Sequence, residues 1–230
     1  MQHFILTKVA TGRPGDSWLR TRLELFRDYC LPSVSGQRKR EFTWLLAMNP
    51  RTPSWFINAL SPLLESANAT VVFTPDSDRL FPNWTPLIEH LISSDRLLTS
   101  RLDSDDMLQV NFVDDVQRAA QQVEDDTVLD FPSGFQVRLP DFACRRFTSE
   151  CPTHFISLVE SRRQTVCGCG NHTRIKAKYR VHNVHAKPMW IELCHGGNLK
   201  TRFQNGGASV SWDKIKPSFV CLSQNQGHSS

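Results

Sequence analysis

The sequence predicts an α/β fold in which a doubly wound sheet continues into a smaller mixed sheet. Up to about residue 126, short apolar runs typical of buried strands alternate with segments of helical periodicity. From Thr127 the pattern changes to closely spaced strand-like segments separated by turn residues. No low-complexity linker or repeat separates the two parts. We therefore expect one domain with a front half, residues 1–126, and a back half, residues 127–230.

The composition indicates a globular protein with a mild charge. Hydrophobic residues make up 40% of the chain, and 27 basic residues against 23 acidic ones give a net charge of +4. This balance argues against a dedicated nucleic-acid binder. The sequence contains neither a signal-peptide pattern nor an apolar stretch long enough to span a bilayer, so a cytoplasmic protein is expected.

The cysteines favour reduced thiols over disulfides or zinc ligands. Their number, 7, is odd and they are scattered along the chain, which argues against an extracellular disulfide framework. Cys144, Cys151, Cys167 and Cys169 are the candidates for a structural zinc site. The Cys-x-Cys spacing of the last two is not the usual Cys-x-x-Cys, so zinc is the less favoured alternative.

The first elements are a strand over residues 3–9 and a helix that begins at Asp16 or Ser17. In nucleotide-binding α/β domains the first strand and its loop commonly meet the base and ribose, which makes Thr7 a candidate contact. The helix is expected to end at Pro32. Its arginines, among them Arg22, are expected to be solvated, with contact to a phosphate as the alternative.

Further strands are predicted over residues 42–48, 70–74 and 97–102. A helix from Thr52 or Ser54 to about Glu65 connects the first two of these strands. A loop rich in Asp and Pro and a short helix over residues 84–92 precede the third. This alternation is the signature of a doubly wound sheet.

Three carboxylates follow the strand at residues 97–102, namely Asp103, Asp105 and Asp106. Ligands of open α/β sheets collect outside the carboxyl ends of strands. Carboxylates this close repel one another unless a cation lies between them, and their hard oxygens suit Mg²⁺ or Mn²⁺ with positions left open for phosphate. We therefore predict a metal-bridged diphosphate here. The alternative is that Ser104 or Asp105 caps a helix that follows at once.

In the back half, residues 127–131 and 134–139 are predicted to form a hairpin, with residues 142–147 pairing beside it. An apolar segment then ends in Glu160, a candidate general base whose alternative role is that of a surface glutamate. His195 follows another apolar run and precedes two glycines that let a ligand approach the backbone. Together with the acidic cluster, His195 becomes a candidate third metal ligand or diphosphate contact.

Six segments, in this order, resemble the putative rhamnosyltransferase family of GT-A-type glycosyltransferases. They are HFILTKV, WLRTRLELFRDYCLPSVSGQ, FTWLLAMNPRTPSWF, TSRLDSDD, FISLVES and MWIELCHGGN. The resemblance implies a GT-A-like nucleotide-diphospho-sugar transferase fold with a nucleotide-sugar-binding front half and an acceptor-side back half. It also implies Mn²⁺ or Mg²⁺ on an Asp-x-Asp motif. The implied reaction moves a sugar, rhamnose by the family's name, from a nucleotide-diphospho-sugar donor to a glycan or other hydroxyl acceptor.

Carried over by position, the resemblance implies that Asp103 contacts the ribose or sugar of the donor and that Asp105 and Asp106 hold the metal. Arg101 would neutralise phosphate or orient the aspartates. His195 would complete the metal site, and Glu160 would be the base.

Two alternatives stay open at this point. The chain is alternatively a sugar nucleotidyltransferase, although no early Gly-rich loop with a following Arg and Lys is evident. It is alternatively a non-catalytic nucleotide- or glycan-binding protein. Peripheral contact with the inner face of a membrane and the oligomeric state are not decided by the sequence.

Overall fold

The computed structural model describes residues 1–12, 15–65, 67–74, 83–161, 164–170, 172–185, 187–198, 202–204 and 206–220. Strand β1 (Gln2–Ala10) leads into a long helical segment made of α1 (Asp16–Leu25), a π-helical turn (Phe26–Cys30) and α2 (Leu31–Ser35). The segment does not end at Pro32 as predicted. Pro32 lies in the first turn of α2, where a missing N–H and a fixed φ are tolerated.

The next elements follow the predicted alternation of strand and helix. They are β2 (Thr43–Met48), α3 (Ser54–Glu65), β3 (Ala69–Phe73), α4 (Thr85–Ile88) with a 3₁₀ turn (Glu89–Leu91), and β4 (Leu97–Asp103). β3, β2, β1 and β4 lie side by side in that order and are parallel. The predicted Asp- and Pro-rich loop falls on residues 75–82, outside the described residues.

The rest of the chain supplies both sheets. Its elements are β5 (Met107–Leu108), α5 (Phe112–Gln121), β6 (Thr127–Asp130), β7 (Ser133–Arg138), β8 (Ala143–Thr148), β9 (Ile156–Glu160), β10 (Arg180–Asn183), β11 (Trp190–Cys194), β12 (Ser209–Val210) and α6 (Trp212–Ile215), with 3₁₀ segments Val166–Cys169, His172–Ala177 and Lys216–Ser218.

The two sheets are both mixed. The first has seven strands in the order β10-β6-β9-β4-β1-β2-β3, and the second has five in the order β12-β8-β7-β11-β5. β5 precedes residue 126 but belongs to the second sheet, whereas β6, β9 and β10 follow it and belong to the first. The boundary between the sheets therefore does not follow the order of the chain.

The predicted hairpin of residues 127–131 and 134–139 is wrong. β6 pairs with β9 in the first sheet, while β7 pairs with β8 and β11 in the second. The chain changes sheets at Phe131, whose carbonyl accepts a hydrogen bond from the Trp190 indole at 2.7 Å. The buried ring of Trp190 lies directly against Gly134 and leaves no room there for a side chain. The predicted pairing of residues 142–147 with β7 is confirmed by β8.

The alternative in which Ser104 or Asp105 caps a helix is also wrong. β5 comes first, and it pairs antiparallel with Trp190 and Ile191 of β11. α5 begins only at Phe112, with Asn111 as the residue before it. The acidic residues thus lie in a turn between two strands of different sheets.

The first sheet is buried on both faces, because side chains along its central strands alternate between two apolar clusters. Ile5 and Val9 of β1 pack in one cluster with Trp44, whereas Phe4 and Leu6 pack in the other. This explains why the sequences of these strands are almost continuously apolar.

The helical segment after β1 contacts both sheets. Phe26 packs in the same cluster as Trp44, with the two rings stacked 5.6 Å apart. Leu25 and Tyr29 pack with Ile191 under the second sheet. The segment therefore bridges the sheets on the side where the acidic turn lies.

Among the described residues, no helix combines the length and the apolar character that a membrane span requires.

His3 provides a test of the first sheet that does not depend on function. Its ring is 3% exposed, Nε2 lies 2.9 Å from Ser100 Oγ, and Nδ1 lies 3.2 Å from the amide nitrogen of Gln117. Burial, together with the charge of Lys39, lowers the pKa of His3 from 6.5 to about 3.

Between these two pH values the unfolded chain binds a proton that the folded chain does not. We therefore expect the free energy of unfolding to fall as the pH is lowered below 6.5, by up to about 1.4 kcal/mol per pH unit from this residue. In His3→Gln that part of the slope should disappear, as measured by urea unfolding at pH 7 and pH 5. Equal slopes in both proteins would contradict the assignment.

Candidate active site at the carboxyl ends of β1 and β4

The candidate site lies where the strand order of the first sheet reverses direction. From β1 the parallel order runs through β2 and β3 on one side and to β4 on the other. Ligands of such sheets bind at this switch point, outside the carboxyl ends of the strands. Lys8 of β1 is paired in register with Asp103 of β4. A tight turn follows, in which the Asp106 amide donates to the Asp103 carbonyl at 3.1 Å.

Asp103, Asp106 and His154 form a group that could hold a metal ion. Each offers one ligand atom, and these atoms all lie within 4.8 Å of one another. His154 Nε2 lies 3.0 Å from Asp106 Oδ2, while Asp106 Oδ1 accepts a hydrogen bond from the Leu193 amide at 3.0 Å. The predicted metal set was instead Asp105, Asp106 and His195.

His154 reaches the group because β9 runs antiparallel to β4. Ser157 is paired with Ser100 in this ladder. The same register, extended by three residues, places His154 opposite Asp103. The rings of His154 and Phe155 are in contact, with centroids 4.1 Å apart and planes tilted by 36°, and this contact helps to hold the imidazole beside the carboxylates.

The charges of this group depend on its neighbours. Burial alone would raise the pKa of Asp103, but the nearby Arg101, Lys8 and His154 outweigh it and lower that pKa well below its usual range. Asp106 differs, because burial dominates and raises its pKa to about 7. Burial lowers the pKa of His154, but the hydrogen bond to Asp106 and the surrounding carboxylates outweigh it, so this pKa is raised. The pKa values of both partners in the His154–Asp106 contact are therefore raised.

The carboxylate of Glu192 lies near the ring nitrogen of His154 that does not contact Asp106. His154 Nδ1 lies 3.9 Å from Glu192 Oε1, and Gln136 donates to Glu192 Oε2 at 2.7 Å. At 3.9 Å this contact is an ion-pair distance that adds negative charge beside the ring. Two carboxylates and one imidazole form a donor set that a divalent cation could take.

Asp105 is not a member of this group and contacts two other side chains. Arg22 Nη1 of α1 lies 2.5 Å from Asp105 Oδ1, and His195 Nε2 lies 3.0 Å from Asp105 Oδ2. Burial raises the pKa of Asp105, but the hydrogen bond from His195 and the charge of Arg22 outweigh it and lower that pKa. The predicted closeness of Asp105 and His195 is observed, but both carboxylate oxygens are occupied by protein groups.

Two cations flank Asp103. Arg101 Nη2 lies 3.0 Å from Asp103 Oδ2, and its predicted roles, neutralising phosphate or orienting the aspartates, stay predictions. Lys8 lies on the neighbouring strand, and its pKa is lowered chiefly by burial. Thr7, the predicted donor contact, is fully buried, and its hydroxyl accepts a hydrogen bond from the Trp44 indole at 3.0 Å. Its side chain therefore faces the core.

The structure does not bring Glu160 to the site. Glu160 is paired with Leu97, at the opposite end of β4 from Asp103. Six residues of strand separate the two ends, or about 20 Å at about 3.3 Å per residue. The Glu160 carboxylate accepts hydrogen bonds from the amides of Gln164 and Thr165 at 2.5 and 2.6 Å. These contacts tie the Glu160 carboxylate to the backbone that follows β9.

The cysteines remain free thiols in the part of the chain that the structure describes. Cys144 lies on β8 in the second sheet, whereas Cys167 and Cys169 lie in a 3₁₀ segment beside the first. Asp103, Asp106 and His154 are the one group of metal-ligand type found among the described residues, so these cysteines do not form a zinc site there.

A pocket of about 460 Å³ opens beside Asp105, and we call it the α1 pocket. It lies between α1 and the turn after β11. The described residues that line it are Gly15, Ser17, Trp18, Thr21, Arg22, Leu25, His195 and Gly197.

Several site residues were missed or left undecided by the sequence. His154 carries no signal of its own in the sequence, because its place beside Asp103 follows from the antiparallel register of β9 with β4. Arg22 is neither solvated nor assigned to a phosphate by the structure, which pairs it with Asp105. Lys8 and Glu192 carry no distinguishing pattern in the sequence, since each is one charged residue in a strand.

Comparison with known proteins identifies the family and the fold. The sequence profile of a family described as putative rhamnosyl transferase matches residues 8–206. The structure of S. aureus TarS 1-349 aligns with a TM-score of 0.50 and 12% identity, over 84% of this chain and 60% of that one. The chain thus spans about three fifths of that protein. At this identity the likeness shows the fold alone, which is α/β of the GT-A-like type with two mixed sheets.

Two further structures align with lower scores. The inositol-1-phosphate CTP transferase from T. maritima has a TM-score of 0.45 and 11% identity, over 87% of this chain and 92% of that one. Mouse xyloside xylosyltransferase 1, in its apo form, has a TM-score of 0.39 and 11% identity, over 58% of this chain and 53% of that one. No functionally curated protein matches the sequence.

The pair of Arg22 and Asp105 provides a test of the site's electrostatics. Their side chains are 11% and 10% exposed, so removing Arg22 leaves a buried carboxylate without its cation. We expect Arg22→Met to lower the free energy of unfolding by about 3 kcal/mol. The Arg22→Met/Asp105→Asn double variant should lose at least about 1 kcal/mol less than the sum of the single variants, as measured by urea unfolding.

The exposed pair of Arg180 and Glu124 is the matched control. Their side chains are 69% and 76% exposed, so neutralising either one should cost less than about 1 kcal/mol. Strictly additive effects for Arg22 and Asp105 would show that their contact does not carry the stability.

Proposed function

The chain belongs to the putative rhamnosyl transferase family, and from that premise we propose that it is a metal-dependent glycosyltransferase. The donor is a nucleotide-diphospho-sugar bound at the carboxyl ends of β1 and β4. The acceptor is a hydroxyl group of a glycan or similar molecule. Rhamnose, the sugar in the family's name, is the first donor sugar to test.

One observation carries the proposal. Asp103, Asp106 and His154 bring two carboxylates and an imidazole together at the switch point of the sheet. Clustered buried carboxylates are costly without a cation, and a diphosphate supplies further oxygen ligands to a divalent ion. The donor set and its position therefore favour a metal-bound diphosphate over a purely structural acidic turn.

The residues of the chain then have separate tasks. Asp103, Asp106 and His154 would hold the ion, which when bound neutralises charge on the departing nucleoside diphosphate. Arg101 and Lys8 add positive charge beside Asp103, on the side where the diphosphate would lie. Arg22 and His195 keep Asp105 turned away from the ion, so that this carboxylate does not compete with the phosphate oxygens.

Metal binding is tested first by thermal unfolding with UDP, dTDP, GDP and CDP, each with and without Mn²⁺. A ligand that binds only the folded state raises the midpoint by mass action. We expect one nucleotide to raise the midpoint more with Mn²⁺ than without. His154→Ala and Asp106→Asn should lose the Mn²⁺-dependent part of the shift, whereas His195→Ala should keep it.

His154→Ala and His195→Ala are matched variants, since each removes one imidazole bound to a neighbouring aspartate. Loss of the Mn²⁺-dependent shift in His195→Ala alone would move the metal to Asp105 and His195. Absence of any such shift with all four nucleotides would overturn the metal site.

Turnover tests the reaction itself. The substrate is a nucleotide-sugar that carries the nucleobase identified by thermal unfolding. We expect release of its nucleoside diphosphate and transfer of its sugar to an acceptor. Asp106→Asn should lower kcat by about 100-fold or more, because it removes a ligand of the charge-stabilising ion. Asp141→Asn, on an exposed carboxylate paired with Arg138, is the control and should leave kcat unchanged. Release of pyrophosphate from a nucleoside triphosphate would instead identify a nucleotidyltransferase.

A further inference from the structure

The α1 pocket is lined by none of the three residues of the proposed metal group. We propose that it is the acceptor subsite and that it takes an uncharged sugar ring. The inference rests on the proposed function, because only a transferase has an acceptor. The binding of a sugar ring to this pocket can nevertheless be measured without metal or donor.

The first argument is position. Arg22 and His195 both line the pocket, and both bind Asp105. Asp105 lies in the same turn as Asp103 and Asp106, so one side chain separates the pocket from the proposed metal group. A ring in the α1 pocket would thus lie beside the acidic turn, near the diphosphate end of the donor.

The second argument is charge. Arg22 is the charged residue among the described residues that line the pocket, and Asp105 compensates it at 2.5 Å. Both ring nitrogens of His195 already have protein partners, since the Gly197 amide donates to Nδ1 at 3.2 Å and Nε2 lies 3.0 Å from Asp105 Oδ2. A ligand with a phosphate or carboxylate needs a cation to balance its charge, and the described lining offers none that is not already paired. An uncharged ligand does not need such a cation.

The third argument is the chemistry of the walls. The half-buried ring of Trp18 lines the pocket, and the Arg22 guanidinium lies over this ring, 4.6 Å from its centroid. That contact holds the indole in place from one side. Ser17 and Thr21 contribute hydroxyl groups, and Gly15 contributes a wall without a side chain. A flat aromatic surface with a few hydroxyls suits the apolar face and the hydroxyl edge of a sugar ring. The volume of about 460 Å³ lies within the usual range for small ligands.

The experiment is saturation-transfer NMR on the full chain without metal or nucleotide. The uncharged probes are methyl α-L-rhamnopyranoside and methyl β-D-glucopyranoside. The charged probes are methyl β-D-glucuronide and glucose 6-phosphate. We expect signals from at least one uncharged probe and weaker signals from both charged ones. Trp18→Ala should weaken binding at least about tenfold, and Trp18→Phe should restore most of it because an aromatic face is kept.

Trp55→Ala is the matched control. Trp55 is also half-buried, with the guanidinium of Arg20 lying 4.6 Å from its ring centroid, but it does not line the pocket. The NMR binding signals of Trp55→Ala should equal those of the unmodified protein. The midpoints of thermal unfolding of Trp55→Ala and Trp18→Ala show whether each variant is folded. Equal binding in Trp18→Ala, stronger signals from the charged probes, or no signal from any probe would each overturn the inference.

Once a donor is known, kinetics separate this inference from the proposed function. Trp18→Ala should raise the KM for the acceptor at least about tenfold without raising the KM for the donor. A raised donor KM with an unchanged acceptor KM would make the pocket part of the donor site and overturn the inference, while leaving the transferase assignment intact. Trp18-dependent sugar binding without any turnover would instead contradict the proposed function.

Discussion

The concentration of buried negative charge after β4 is the constraint on which the site depends. One short turn contains the carboxylates of Asp103, Asp105 and Asp106, and each needs a partner group that offsets the free-energy cost of burying its charge. The partners come from separate parts of the chain, namely Arg101 from β4 itself, Arg22 from α1, and His154 from the segment before β9. The acidic turn therefore adds charged contacts to α1 and to the segment before β9.

The junction of the two sheets controls the orientation of His154. Trp190 of β11 stacks on Phe155 at a centroid distance of 4.5 Å, and Phe155 in turn contacts the His154 ring. The Trp190 indole also bonds the Phe131 carbonyl where the chain passes from the first sheet to the second. The imidazole beside the carboxylates thus rests on core packing, which is more rigid than a surface loop. The second sheet contributes to the site through this stack as well as through the amide of Leu193.

The sequence was sufficient for features that depend on local pattern, and insufficient for those that depend on register. The apolar runs of β1, β2 and β4 and the acids after β4 are local, and the structure has them where they were predicted. Which base or cation each acid meets is not local. The antiparallel register of β9 brings His154 to Asp103 and, for the same reason, carries Glu160 to the far end of β4. The acids also fitted the start of a helix. In the structure the two-residue strand β5 follows them instead and pairs with β11.

The π-helical turn Phe26–Cys30 determines how α1 is rotated about the helix axis relative to α2. A π turn accommodates an additional residue within an otherwise α-helical path. Loss of that residue would turn the preceding part of the helix by about 100° relative to the part that follows. Arg22 would then leave Asp105, and Trp18 would leave the α1 pocket, although no residue of the site itself had changed. For this stretch the length of the chain is a determinant of function in its own right, and tolerance of substitutions does not imply tolerance of deletions.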